Sequence, residues 1–466
     1  MSKIKFGTDG WRAIIGKEYT TDNVARVSIA VADWLNKHST NPSVVIGHDC
    51  RFAGELFAET AAKVLANQGV IVKMAKGFVS TPMVSLGVVH QKANLGVVIT
   101  ASHNPPSYNG YKLKGDFGGP LLSADILAIE ELIPDSNSVD YHVISMDELV
   151  ESGKVIYIDL EDTYCKHAES HFDLDAINNS EMNFAYDAMF GAGMNAVRRL
   201  MPNTTLLHCD NNPGFLGTSP EPIHRNLTEF SALMKNNNLD CGFATDGDAD
   251  RIGLYDSSGN FIDSHHIILL LIHYLVKYKH MTGKIVTAFS CSVKVNKMCE
   301  HYGLEQDTVQ IGFKHIAGQM ISEDILLGGE ESGGIATKGH IPERDGIWMG
   351  LILFEFMAKS GKSIEDLIGE VYDIVGPFAF ERIDLHIDNE KKLKIIDHCK
   401  RGLFTQFGKY KVIRTETIDG FKFFFDADTW LMIRPSGTEP VLRTYSEASN
   451  QEKAFDVLAE AKATII

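Results

Sequence analysis

The sequence predicts a multidomain α/β protein. Apolar strand-like runs alternate with amphipathic helical stretches along most of the chain. The same rhythm recurs in three consecutive segments, and a shorter fourth segment reads as α+β. A length of 466 residues exceeds what one hydrophobic core normally serves, so several domains are required. With 44% hydrophobic and 23% charged residues, the composition is that of a globular protein and excludes a disordered chain.

Taken in order, residues 6–12 (FGTDGWR) form a glycine turn ahead of a helix at 22–37. A strand at 43–47 (SVVIG), a helix at 55–67 and strands at 70–74 and 95–99 (LGVVI) follow, for which a parallel sheet is the economical arrangement. Helical stretches at 123–131 and 147–151 lead to a linker, placing the first domain at 1–153. The second, 154–256, carries strands at 155–160, 183–189, 205–209 and 239–245. The third, 257–376, has a helix at 264–278 and strands at 284–289 and 325–327 before helices at 347–358 and 364–371. Gly376 and Pro377 open the fourth, 377–466, with strands at 381–386, 421–425 and 430–433 and helices around 391–404 and 451–465.

A formal net charge of −17 repels nucleic acid and acidic membrane surfaces, so an anionic ligand needs a local cationic pocket. The opening MSKIKFGTDG has no apolar signal region, and the apolar run at 267–276 is too short to span a bilayer, so a cytoplasmic location is expected. Seven cysteines without a CxxC pair fit reduced core residues rather than disulfides or zinc ligands.

Chemistry concentrates where strands end. After LGVVI comes TASHNPPSYNGYK at 100–112, read as a fixed, exposed loop in which Ser102 is a nucleophile, His103 and Lys112 are proton carriers or cations, and the double proline prevents helix continuation. Residues 246–251 (DGDADR) space Asp246, Asp248 and Asp250 to converge on one hard cation, with Arg251 placed to hold a phosphate oxygen. In 328–334 (GGEESGG), Glu330 and Ser332 suit paired sugar hydroxyls. In 434–440 (RPSGTEP), Arg434, Ser436, Gly437 and Thr438 have the makings of a phosphate cradle. Taken singly, each loop also reads as ordinary turn chemistry.

Together these motifs resemble the α-D-phosphohexomutases (phosphoglucomutase/phosphomannomutase), in the family's order and across essentially the whole chain. The resemblance implies three similar mixed α/β-sheet domains plus a C-terminal α+β domain around a central cleft. It implies that Ser102 is carried as phosphoserine and that Mg²⁺ is held by Asp246, Asp248, Asp250 and a phosphoserine oxygen. Hexose phosphates are then the small-molecule partners, glucose 1,6-bisphosphate is activator and intermediate, and a monomer or homodimer is expected, without nucleic acid or membrane. Proton transfer falls to Lys112 or His103, with Arg12 as electrostatic stabiliser because guanidinium rarely releases a proton. The loop chemistry at Glu331 and Gly334 looks most like the glucose enzymes, whereas the glucosamine branch usually has glutamine and histidine there. Phosphomannomutase or dual activity stays open, as do a magnesium-dependent sugar phosphatase and a non-catalytic sugar-phosphate binder.

Overall fold

The computed structural model describes residues 3–435 and 441–466. The chain divides into two compact units, one comprising residues up to Ile267 with Gly312–Glu365, the other Ile268–Ile311 with Asp366–Ile466.

The first unit holds two complete sheets. In the first, Ser43–His48 lies parallel to Leu95–Ile99 on one side and to Ile71–Ala75 on the other. Beyond Leu95–Ile99 the direction reverses, because Tyr108–Gly115 pairs antiparallel with it and Trp11–Ile14 pairs antiparallel with Tyr108–Gly115. The sheet is therefore mixed. Val155–Ile158, which the sequence reading places in the second domain, pairs parallel with Ile71–Ala75 and extends this first sheet. Helices Thr21–His38 and Gly54–Asn67 bury Val24, Val27, Val31, Leu35, Phe57, Ala61 and Leu65 against Val44, Ile46, Val72 and Val97. The Thr20 side chain accepts from the Asn23 amide, which fixes where the first of these helices starts.

The second sheet repeats the plan. Phe184–Asp187 lies parallel to Thr205–Leu207 and to Cys241–Thr245, after which Ile252–Asp256 turns back antiparallel. A third antiparallel pair, Ile325–Gly329 with Ile335–Thr337, belongs to the same unit, so Gly328 and Gly329 are strand residues rather than loop. Each reversal thus makes a hairpin, and the three hairpin loops are the polar stretches singled out in the sequence.

In the second unit, five strands in the order Ala379–His386, Val441–Ala448, Trp430–Pro435, Phe421–Phe424, Arg414–Glu416 form an antiparallel sheet. Helices Asn389–Lys400 and Gln451–Ile465 contribute Ile395, Cys399, Val457, Leu458 and Ala461 to a core with Phe423, Leu431 and Leu442. This is the expected α+β segment. All seven cysteines are free and buried, as the composition suggested, and no helix among the described residues is long and apolar enough to cross a membrane.

Candidate active site

Ser102 follows the strand Leu95–Ile99 and is buried with Thr100 and Ala101, whereas Pro105 and Ser107 of the same loop are exposed as its polar sequence suggested. The reason lies beneath it. The Arg51 guanidinium donates from Nη2 to the Ser102 and Asn104 carbonyls, both at 2.6 Å, and from Nη1 to those of Pro105 and Tyr108 at 2.9 and 3.1 Å. Four carbonyls without a sheet partner are satisfied by one planar cation. Asp49 lies 3.3 Å from Arg51 Nε and accepts from the Thr100 hydroxyl at 2.6 Å, while Thr100 Oγ1 accepts from the Ser102 amide at 2.9 Å. Ser102 itself has φ 53°, a left-handed conformation unusual for a residue with a side chain and common where function over-determines the backbone.

The Ser102 hydroxyl donates to Asp246 Oδ2 at 2.7 Å, and His103 Nδ1 is 3.3 Å from Ser102 Oγ. Asp246 belongs to the 246–251 hairpin loop, which is held by its own backbone. Asp246 Oδ1 accepts from the Asp250 and Arg251 amides at 2.9 and 3.1 Å, and Ala249 takes the left-handed conformation at φ 56°. Gly247 is where the two loops meet: a Cβ there would stand 2.6 Å from the Ser102 carbonyl oxygen. Glycine is required by that close approach.

Ligand oxygens of Asp246, Asp248 and Asp250 lie within 4.8 Å of one another, and all three residues are fully buried. Thr81 Oγ1 and Lys112 Nζ donate to Asp248 Oδ2 at 2.5 and 2.8 Å, and Lys112 also donates to Asp250 Oδ2 at 3.0 Å. Asp248 Oδ1 and Asp250 Oδ1 are buried with no hydrogen-bond partner among the described residues. Such orphaned anionic oxygens are costly unless a cation faces them. An all-oxygen donor set of this kind fits magnesium.

Lys112 is a strand residue of Tyr108–Gly115, not a loop residue, and is fully buried. Burial alone would lower its pKa, but Asp248, Asp250 and Asp9 more than reverse this and hold it as a cation. Burial raises Asp246 well above the usual carboxylate range, reinforced by Asp248 and Asp250. For Asp248, burial is outweighed by the Lys112 ammonium and the Thr81 hydroxyl, which hold it ionised. His103 is pushed well below its ordinary value by burial and by the charges of Arg251 and Arg12, so it is neutral at pH 7.

Arg12 Nη1 donates to Asn104 Oδ1 at 2.7 Å, which ties it to the Ser102 loop, and Arg12 Nη2 lies 3.7 Å from Asp9. Arg251 lies 3.9 Å from Glu221 Oε1, and its buried Nε has no hydrogen-bond partner among the described residues, which leaves a donor for an anion. Glu330 Oε1 accepts from the Gly312 amide at 2.9 Å, and burial pushes its pKa up to about 7 against the opposing charges of Arg344 and Arg251. Ser332 is half-buried in the same hairpin loop. In the second unit, Arg434 donates from Nε and Nη2 to Asp419 Oδ1 and Oδ2 at 3.1 and 3.2 Å, so the guanidinium expected to cradle a phosphate is paired with a carboxylate. Ser436, Gly437 and Thr438 lie outside the described residues.

Family models match in chain order: phosphoglucomutase/phosphomannomutase alpha/beta/alpha domain I over residues 3–140, domain II over 162–259, domain III over 263–375 and the C-terminal domain over 390–463. A phosphoglucomutase/phosphomannomutase of Thermococcus kodakarensis is 30% identical over 459 residues, 97% of this chain and 96% of the relative. The chain belongs to the phosphoglucomutase/phosphomannomutase family. Among other members, a phosphoglucosamine/phosphogalactosamine mutase of Sulfurisphaera tokodaii is 29% identical, with 98% of each chain covered. A crystal structure designated a putative phosphomannomutase from Thermus thermophilus superimposes with a TM-score of 0.88 at 31% identity, covering 100% of this chain and 99% of that one. The family's architecture, three mixed-sheet domains and a different C-terminal domain, is that of this chain, and its activity is that of a phosphohexomutase.

Asp9, Asp49, Arg51, Thr81 and Arg344 also bear on this cluster, and no motif in the sequence singles them out. Asp9 Oδ2 lies 2.8 Å from Lys112 and 2.5 Å from Arg344, whose Nη2 is also 2.9 Å from Asp250 Oδ2. Asp9 falls inside FGTDGWR, and Asp49 and Arg51 follow the strand Ser43–His48, so a strand-end polar signal was present at both places.

Proposed function

We propose that this phosphohexomutase interconverts glucose 1-phosphate and glucose 6-phosphate through phosphoserine at Ser102 and a bound glucose 1,6-bisphosphate. The observation that carries the reading is the buried Ser102 hydroxyl bonded to Asp246 at 2.7 Å, beside carboxylates of which two oxygens have no hydrogen-bond partner among the described residues. A phosphoserine adds roughly −1.5 to −2 charge beside those carboxylates, which a divalent cation would have to offset. Mg²⁺ held by Asp246, Asp248, Asp250 and an oxygen on Ser102 would supply Lewis-acid stabilisation of the transferring phosphoryl group.

The chain's own residues support the rest. The phosphorus leaves Ser102 Oγ for a sugar hydroxyl oxygen, so the hydroxyl proton must go to a nearby base and from it to Oγ as the bond from Oγ to phosphorus breaks. Lys112 is committed to three carboxylates, which favours charge stabilisation over proton transfer. His103, neutral and 3.3 Å from Oγ, remains the better-placed acceptor. After the bisphosphate reorients, its other phosphoryl returns to Oγ, and the Oγ proton passes by the same base to the sugar oxygen that leaves. Arg12 and Arg251 present fixed guanidinium groups to phosphate, and Glu330 and Ser332 take sugar hydroxyls; Arg434, Ser436, Gly437 and Thr438 are the fourth domain's own candidates for binding phosphate.

Glu331 and Gly334 favour glucose over glucosamine, since the glutamine and histidine usual in the glucosamine branch are absent. The relatives' divided names keep mannose and glucosamine as competitors. A coupled assay with glucose, mannose and glucosamine 1-phosphates, with bisphosphate present, tests this. Glucose should give the highest kcat/KM; a tenfold preference for either competitor overturns the sugar assignment, and phosphate release without isomerisation overturns the mutase reading.

A further inference from the structure

Gly334 closes the 330–334 hairpin loop, and a Cβ there would stand 2.4 Å from Arg344 Cδ and 3.0 Å from its Cγ. The backbone does not demand glycine at 334, unlike Gly333 with φ 88°. Packing does. Those methylenes belong to a side chain that cannot swing aside cheaply: Arg344 is 4% exposed, lies over the Phe313 ring at 5.4 Å, and bonds through Nη2 to Asp9 at 2.5 Å and Asp250 at 2.9 Å. A side chain at 334 and Arg344 in this position exclude one another.

Arg344 in turn bears on the carboxylate cluster. Asp250 Oδ2 is taken by Arg344 and Lys112, and Oδ1 is left unpartnered, just as Thr81 and Lys112 occupy Asp248 Oδ2 and leave its Oδ1. Both Asp248 and Asp250 are thus held by donors on one oxygen, with no hydrogen-bond partner among the described residues on the other. We infer that Gly334 and Arg344 form an interlocked pair that orients Asp250 toward the divalent cation, so that one side chain sets both the sugar-binding and the metal-binding loop. Arg344 is a positioning residue, and the inference rests on the metal reading of Asp246, Asp248 and Asp250. Its charge also repels a cation, so the direction of the effect separates orientation from competition.

The test is Mn²⁺ binding to the purified full-length protein by titration, with far-UV circular dichroism as a folding control. Wild type binds Mn²⁺, and Asp250→Asn loses it. Arg344→Gln weakens binding by about tenfold or more, Gly334→Ala weakens it in the same direction, and the double variant binds no worse than Arg344→Gln alone. Arg344→Lys, which keeps the charge but loses the planar fork, also weakens binding and covers the case in which another variant fails to fold. Unchanged or tighter binding in Arg344→Gln, or additive losses in the double variant, overturns the pair. A wild type that binds no Mn²⁺, or an Asp250→Asn protein that binds normally, overturns the metal reading itself.

Discussion

Replacing Arg51 by lysine keeps the charge and removes the geometry. Arg51 reaches four carbonyls from two nitrogens, at 2.6, 2.6, 2.9 and 3.1 Å, and a single ammonium cannot occupy both nitrogen positions. At least two carbonyls lose their donor, at about 1–3 kcal/mol each, so a central figure is about 4 kcal/mol. In a domain of about 150 residues, where 1 kcal/mol moves Tm by about 2–4 °C, that corresponds to a fall of about 8–16 °C. The Ser102 carbonyl is among the four, so the nucleophile also shifts, and a displacement of about 1 Å costs on the order of 100-fold in rate. Differential scanning fluorimetry and a coupled mutase assay on Arg51→Lys measure both. A Tm within about 2 °C of wild type together with kcat within twofold would show that the loop does not depend on this cation.

Gly247→Ala drives a methyl against the Ser102 carbonyl at 2.6 Å, so kcat should fall by about 100-fold with the circular dichroism spectrum retained; near-normal turnover refutes the close approach. Glu330, pushed up to about 7 by burial, is protonated below that pH and loses acceptor capacity, so KM should rise as pH falls through 7. In Glu330→Gln that part of the pH dependence should vanish, leaving only the titration of the substrate phosphate; an unchanged profile contradicts the assignment. Chelation with EDTA should abolish turnover and added Mg²⁺ should restore it without change in secondary structure, whereas full activity after exhaustive chelation would remove the cation from the account.

The loops proposed to carry the chemistry are legible because each is polar and follows an apolar strand: LGVVI into Ser102, CGFAT into Asp246, ILLGG into Glu330. What those loops turn into was less legible. Residues 108–112 read as the end of a polar loop, yet they belong to the strand Tyr108–Gly115, in which Lys112 and Lys114 are buried against Asp248, Asp250 and Glu343 from distant parts of the chain. Thr81–His90 does not read as a helix because it is buried nearly all round and shows no amphipathic period. Asp49, Arg51, Thr81 and Arg344 act through partners 50 or more residues away, and nothing local distinguishes a buried clamp from a surface ion pair. Arg344 lies in residues 339–346 (GHIPERDG), and nothing local there indicates that its methylenes pack where a Cβ at Gly334 would stand.

Covalent capture of the phosphoryl group is the most direct measurement. Full-length protein incubated with glucose 1,6-bisphosphate and Mg²⁺, then analysed by intact-mass and peptide mass spectrometry, should carry one phosphate on Ser102, lost on addition of glucose 1-phosphate as bisphosphate is released. Ser102→Ala should carry none and show no steady-state mutase activity. Phosphate on another residue, or turnover by Ser102→Ala near the wild-type rate, would contradict Ser102 as the stored phosphoryl donor.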